Sequence, residues 1–167
     1  NLEDLYLGLE GDLEDLAALN YYSRHARANL EELGPGKYAI KAITERGSER
    51  VIRHSFELAR RRDQKRKVTV TCKYNMLSTA DGLFLDTAKR VANDYPDIAL
   101  EHFIVDDILC RMIAQPEELD VIVTPNLYGD ILSDGAAGMI GGLGLAPSGC
   151  YGDDYAYFES AHGTAPD

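Results

Sequence analysis

The stretch TPNLYGDILSD (124–134) places two aspartates, Asp130 and Asp134, four residues apart. On a helix this spacing puts both carboxylates on one face, a turn apart. Like charges so placed weaken an isolated helix by about 0.2–0.5 kcal/mol. Two readings of the pair stand. Either the helix face is solvated and the cost is trivial, or a cation sits between the carboxylates. Hard divalent cations take oxygen ligands, and Mg²⁺ combines a few carboxylates with water and substrate oxygens. A third carboxylate, Asp106, ends the strand-like run IALEHFIV, with its neighbour Asp107 competing for the role. Lys73 follows KVTVTC (67–72), where α/β proteins place ligands, at the carboxyl end of a buried strand. Partial burial can turn such a lysine into a base; the alternative is a strand-end lysine that simply reaches solvent. Tyr6, in EDLYLG, has a hydroxyl that can donate a proton, or a ring that packs with a wet tip.

Two further segments are small and polar. GGLGLAPSG (141–149) follows a helix rather than a strand and carries Pro147, so it reads as a tight helix exit and not as the dinucleotide fingerprint. HGTAPD, at the end of the chain, offers His162, Gly163 and Thr164, whose amides can hold phosphate or ribose. His25, His54 and His102 show no ligand spacing and read as surface or partly buried residues.

These residues need elements to hold them. The pattern predicts a short strand over 5–10, a helix over 12–33 with an apolar stripe of Leu13, Leu16, Ala17, Ala26, Leu30 and Leu33, and an extended segment over 37–43. Gly34-Pro35-Gly36 separates the last two. Residues 47–62 form an amphipathic helix with Val51, Ile52, Phe56 and Ala59 on one face. A β-branched strand over 67–72, a helix over 79–95 closed by Pro96, and a strand over 98–105 follow. Then come a helix over 106–114, a strand over 120–124 and a helix over 127–141. This alternation specifies an α/β architecture, a mixed sheet with flanking helices. A domain boundary falls near 124–127 or near 142–149.

Composition narrows the partners. The chain has 167 residues, 45% hydrophobic, enough for one globular domain or about half of a larger enzyme. Its net charge of -11 argues against a nucleic-acid backbone as partner. The one basic run, from Arg60 to Lys67, reads as a solvated helix end. Cys72, Cys110 and Cys150 are odd in number and widely spaced, which points to reduced thiols in a cytoplasmic compartment, or the mitochondrial matrix of a eukaryote. No apolar run is long enough to span a membrane, and the start lacks the basic and apolar regions of a signal peptide. Both ends read as cut rather than finished.

Taken together, the segments resemble the isocitrate/isopropylmalate dehydrogenase family of metal-dependent β-decarboxylating dehydrogenases. The matching pieces are NLEDLYLGLE, ITERGSERVIRHSFELAR, CKYNMLSTADGLF, the run from IVDDILC through NLYGDILSD to GLAPS, and FESAHGTAPD. They stand in family order across nearly the whole chain; residues 11–40 are the least family-like.

The resemblance implies a small, substrate- and dimer-forming domain over 1–124 and part of the cofactor-binding large domain over 125–167. It implies that Asp130 and Asp134 bind Mg²⁺ or Mn²⁺, completed by Asp106 from a partner subunit, in a homodimer with a shared active site. It implies that Lys73, also reaching across the dimer, helps deprotonate the substrate hydroxyl and that Tyr6 protonates the carbon left by CO₂ loss. Asn75, Glu159, His162, Gly163, Thr164 and Ala165 would line NAD or NADP. The substrate would be a small 2-hydroxy di- or tricarboxylic acid. Isocitrate is favoured, because NLEDLYLGLE looks like the isocitrate branch and ITERGSERV lacks the tyrosine that isopropylmalate enzymes tend to place there. Homoisocitrate, 3-isopropylmalate and tartrate or malate are the alternatives within the family. A non-catalytic dimerisation or regulatory module is the alternative outside it. Cys72 stands where the family usually has His, and Tyr74 where it has a small residue. About half the family's length is absent, including the substrate arginines, so the expectation is that this chain alone has negligible dehydrogenase activity.

Overall fold

The computed structural model describes residues 3–17 and 19–162. Near its start, Leu5–Leu7 makes one 3-10 turn and the first strand, β1, is Glu10–Asp12. The strand predicted over 5–10 is therefore shorter and lies later. The helix predicted over 12–33 is broken. It consists of a helix α1 (Leu13–Ala17), a two-residue hairpin β2 (Tyr22–Ser23) and β3 (Ala28–Asn29), and a 3-10 turn over Leu30–Leu33. Asn20 and Arg27 take φ of +47° and +55°, which no continuing helix accepts. The supposed stripe also finds no core: Leu33 is half exposed and Ala26 exposed. Without a buried face, a marginal helix has little to hold it together. Strand β4 (Lys37–Ala39) returns antiparallel to β1, in agreement with the extended segment predicted there.

From here sequence and structure agree closely. Helix α2 (Glu45–Arg62) is capped by the Thr44 hydroxyl, which accepts from the Gly47 amide at 3.1 Å. Strand β5 (Lys67–Cys72) follows, then α3 (Ala80–Ala92), β6 (Ala99–Ile104), α4 (Val105–Ala114), β7 (Val121–Val123) and α5 (Asn126–Met139). The strands form a parallel sheet in the order β6-β5-β7, with β5 in the centre. Their side chains alternate between faces, and the helices divide accordingly. On one face Ile52, Phe56 and Ala59 of α2 and Phe84, Ala88 and Val91 of α3 bury Val68, Val70, Val121 and Val123. On the other, Ile108 and Met112 of α4 meet Leu132 of α5, with Phe103 and Ile122 packed against them. Phe56 is fully buried and stacks on Tyr95 at 4.9 Å between ring centroids.

The basic run closes α2 as a helix end should, with its cations against the carbonyl pole of the helix. Its cations pair with nearby carboxylates, among them Arg60 with Asp97, Arg62 with Asp120, Arg66 with Asp63 and Lys67 with Glu101. After α5, Gly141 and Gly142 take φ of +116° and +125°, a reversal that side chains resist. The chain then enters an antiparallel hairpin of β8 (Pro147–Tyr151) and β9 (Ala156–Ser160). Every residue of β9 is exposed, and Tyr155 at the turn is 87% exposed. Parallel and antiparallel ladders thus coexist among α-helices, in the α/β class expected. No helix among the described residues is long and apolar enough to cross a membrane.

Candidate active site

The carboxyl ends of the three parallel strands carry the chemistry-bearing residues, where open α/β sheets bind ligands. Lys73 follows β5, Asp106 opens α4 directly after β6, and α5, with Asp130 and Asp134, follows β7. Lys73 Nζ donates to the Asp106 carboxylate. Their register explains the meeting, because Cys72 and Ile104 are paired across the ladder and each precedes its site residue by one or two positions. The Lys73 ammonium holds the Asp106 carboxyl below the usual carboxylate range. Asp107, the competing candidate, is engaged elsewhere, with Arg111 one turn along α4 at 3.0 Å.

A second group forms around α5. The Tyr6 hydroxyl donates to the Asp130 carboxylate across 124 positions of sequence. That hydrogen bond, with the charges of Asp130, Asp4 and Asp134, raises the Tyr6 pKa above its ordinary value, so the phenol keeps its proton. Asp130 and Asp134 are both exposed, and no lysine or arginine among the described residues pairs with either. Two hard, uncompensated carboxylates on one helix face suit a divalent cation. Among the described residues, however, no group of three or more metal-ligating side chains gathers in one chain. Asp106 lies with Lys73 instead.

The segment bearing Tyr6 is anchored by its neighbours. The Glu3 carboxylate accepts from the hydroxyl and amide of Thr44 at the start of α2. Asp4 is fully buried; its carboxylate accepts from the Leu127 amide at 2.9 Å in the first turn of α5, and its own amide donates to the Ala42 carbonyl at 2.8 Å. Asp4 takes φ of +67°, a strained geometry that costs on the order of 1–3 kcal/mol and persists only where surroundings enforce it.

The departures at 72 and 74 are benign in place. The Cys72 thiol is buried and donates to the Asp81 carbonyl at 3.4 Å; burial, with the Asp81 charge, pushes its pKa up to about 12. It packs in the core and leaves Lys73 free to face Asp106. Tyr74 packs at the core edge, its ring 5.8 Å from that of His102.

Of the residues expected to meet a nicotinamide cofactor, Asn75 sits in the exposed turn after β5. Glu159 stands opposite Ser148 in the β8–β9 ladder, and His162 is exposed two positions past the end of β9. Gly163, Thr164 and Ala165 lie outside the described residues. The sequence reading missed Asp4, Lys41 and Asp81, which form a buried ionic group between the two halves. Lys41 Nζ lies 2.7 Å from Asp81 and 3.4 Å from Asp4. Lys41 was readable only as a charge inside an otherwise apolar run, AIKAI, and nothing local names its partners.

Comparison with known proteins identifies the family and the fold. All of residues 1–167 match the family described as isocitrate/isopropylmalate dehydrogenase. The 3-isopropylmalate/3-methylmalate dehydrogenase of Methanocaldococcus jannaschii is 41% identical over 170 residues, covering 100% of this chain and 45% of its own length. The isocitrate/homoisocitrate dehydrogenase of Thermus thermophilus is 50% identical over 129 residues, covering 77% of this chain and 38% of its own. The crystal structure of isocitrate dehydrogenase from Methylococcus capsulatus superposes with a TM-score of 0.80 at 42% identity, over 98% of this chain and 44% of that one. The chain thus spans less than half the length of each.

Proposed function

The chain belongs to the isocitrate/isopropylmalate dehydrogenase family, and from that premise we propose that it forms the central part of an NAD(P)-dependent oxidative decarboxylase acting on isocitrate. The observation that carries this reading is the pair of half-sites at one sheet edge, Lys73 with Asp106 and Tyr6 with Asp130. Support for isocitrate over 3-isopropylmalate comes from NLEDLYLGLE and from the missing tyrosine in ITERGSERV. Residues 1–124 act as the small domain, and residues 125–167 lead into the cofactor-binding one.

In a homodimer, Asp130 and Asp134 of one copy and Asp106 of the other would hold Mg²⁺ or Mn²⁺. That ion would polarise the substrate's hydroxyl and carboxylate oxygens, while the nicotinamide accepts hydride. The remaining work falls to this chain's own side chains. Lys73, at the rigid end of β5, receives the hydroxyl proton. Tyr6, whose proton is held by its raised pKa, delivers it to carbon after CO₂ departs. Asn75 would lie near the nicotinamide, and Glu159, His162, Gly163, Thr164 and Ala165 would line the cofactor. The three free cysteines suit a reducing compartment, the cytoplasm or the mitochondrial matrix.

The test is an assay of the full-length protein with Mn²⁺, NAD⁺ or NADP⁺, and isocitrate, homoisocitrate and 3-isopropylmalate in parallel. Reduced nicotinamide and CO₂ should form in equal amounts, fastest with isocitrate, and chelation should stop both. Absence of turnover with every acid overturns the reading.

A further inference from the structure

We infer that Lys41 is a positioning residue for this reaction, a buried ammonium that braces the backbone of the Tyr6–Asp130 half-site and, separately, the backbone of the Lys73–Asp106 half-site, which serves the second copy's site. The inference rests on the dehydrogenase reading. Its geometry does not: four separate segments meet at one nitrogen. Lys41 Nζ lies 2.7 Å from Asp81 Oδ1, and the other oxygen of Asp81 accepts from the Lys73 amide at 2.7 Å. That bond fixes the backbone from which the Lys73 side chain departs. Lys41 Nζ also lies 3.4 Å from Asp4 Oδ1, and the other oxygen of Asp4 accepts from the Leu127 amide at 2.9 Å. Asp4 stands two residues before Tyr6, and Leu127 three before Asp130. Finally, the ammonium sits 4.1 Å from the centre of the Tyr128 ring, two residues before Asp130 on α5.

Each carboxylate therefore uses one oxygen on a site-bearing backbone amide and the other on Lys41. Both Asp4 and Asp81 are completely buried, and the Lys41 side chain is only 12% exposed. Burial acts against the ammonium, yet Asp81, the Tyr128 hydroxyl and Asp4 outweigh it and raise its pKa, so the charge persists. A surface ion pair could slacken without consequence. Here any slackening releases Asp4 from its strained backbone, and with it the turn that carries Tyr6 beside Asp130. A misplacement of about 1 Å far from the chemistry can cost about 100-fold in rate.

Replacing Lys41 alone leaves two buried carboxylates unbalanced, which destabilises the fold for reasons unrelated to positioning. The informative variant is therefore Asp4→Asn with Lys41→Met, in the full-length protein. It keeps the net charge of the group, keeps an oxygen for the Leu127 amide, and removes the ammonium bridge, leaving Asp81 with the Lys73 amide. Its urea midpoint should lie above that of Lys41→Met alone, its kcat, read below the unfolding transition, should fall about 100-fold, and its KM for isocitrate should stay within about threefold. Amide exchange at Leu127 and Lys73 should accelerate while Val68–Thr71 stay protected. Recovery of wild-type kcat with unchanged exchange at those two amides would show Lys41 to be a charge-balancing core residue and overturn the inference. If the double variant does not fold, Asp4→Asn alone decides: unchanged kcat and exchange at Leu127 overturn the inference, and a fall in kcat at constant KM sustains it. Absence of metal-dependent turnover in the wild type is a different outcome, which removes the dehydrogenase reading along with this one.

Discussion

The two half-sites are built in different ways. Lys73 and Asp106 stand just past the ends of neighbouring parallel strands, so the ladder that pairs Cys72 with Ile104 delivers them to each other. Tyr6 and Asp130 share no ladder. They meet because a short segment, tied down at Glu3 and Asp4, lays its 3-10 turn against α5. The first half-site inherits its rigidity from the core; the second depends on a few buried polar contacts. A site split this way leaves one half on a fixed scaffold and the other on a segment that can be displaced.

The largest effect should come from α5. In the full-length enzyme, Asp130→Asn or Asp134→Asn should lower metal-dependent turnover by more than the 10–100-fold typical of supporting partners, with weakened Mn²⁺ binding by calorimetry. Retained Mn²⁺ affinity in both variants would return the pair to a solvated acidic face.

Next, Lys73→Met should lower kcat by about 10²–10⁴, the range of general acid–base catalysis, with unchanged circular dichroism. A smaller loss would mean that the sheet-edge half-site contributes binding rather than proton transfer.

The scaffold contrast can be measured as stability. Phe56→Ala, in the packed core, should cost about 3–5 kcal/mol in urea unfolding. Tyr155→Ala, at the 87% exposed hairpin turn, should change stability by less than about 0.5 kcal/mol. Equal costs would erase the distinction between the sheet and its outlying hairpin.

The smallest effects are titrations. Because the folded pKa of Asp106 is lowered, its contact with Lys73 favours folding above the unfolded carboxylate value, about 3.9, and fades as pH falls through the folded pKa. Carboxyl NMR should show an Asp106 midpoint below that value, rising toward it in Lys73→Met. Tyr6 carries the opposite sign. Its folded pKa is raised, so its bond to Asp130 favours folding below about pH 10 and is lost as pH climbs through the folded value. Phenolate absorbance should shift back toward 10 in Asp130→Asn.

Much of this was readable in advance where local chemistry and tertiary packing agree. The β-branched run at 67–72, the amphipathic helix read over 47–62 and the NLYGD start of α5 all have a face that the core buries. Residues 12–33 misled because their apolar residues fall at helical spacing by accident of composition. Their turns instead follow left-handed backbone at Asn20 and Arg27, which residue type does not announce.

The sequence by itself determined the βαβ core, the one-turn spacing of Asp130 and Asp134, and the place of Lys73 at the end of a buried strand. Periodicity and motif spacing are local properties, and local properties are written in order along the chain. Only the tertiary structure decided which charges meet. Asp106 rather than Asp107 turns to Lys73, Tyr6 reaches Asp130, and Lys41 draws Asp4 and Asp81 into one buried group. Such pairings form when desolvation makes an isolated charge too costly to leave alone. That cost is set by what surrounds a residue in space, which its neighbours in sequence do not reveal.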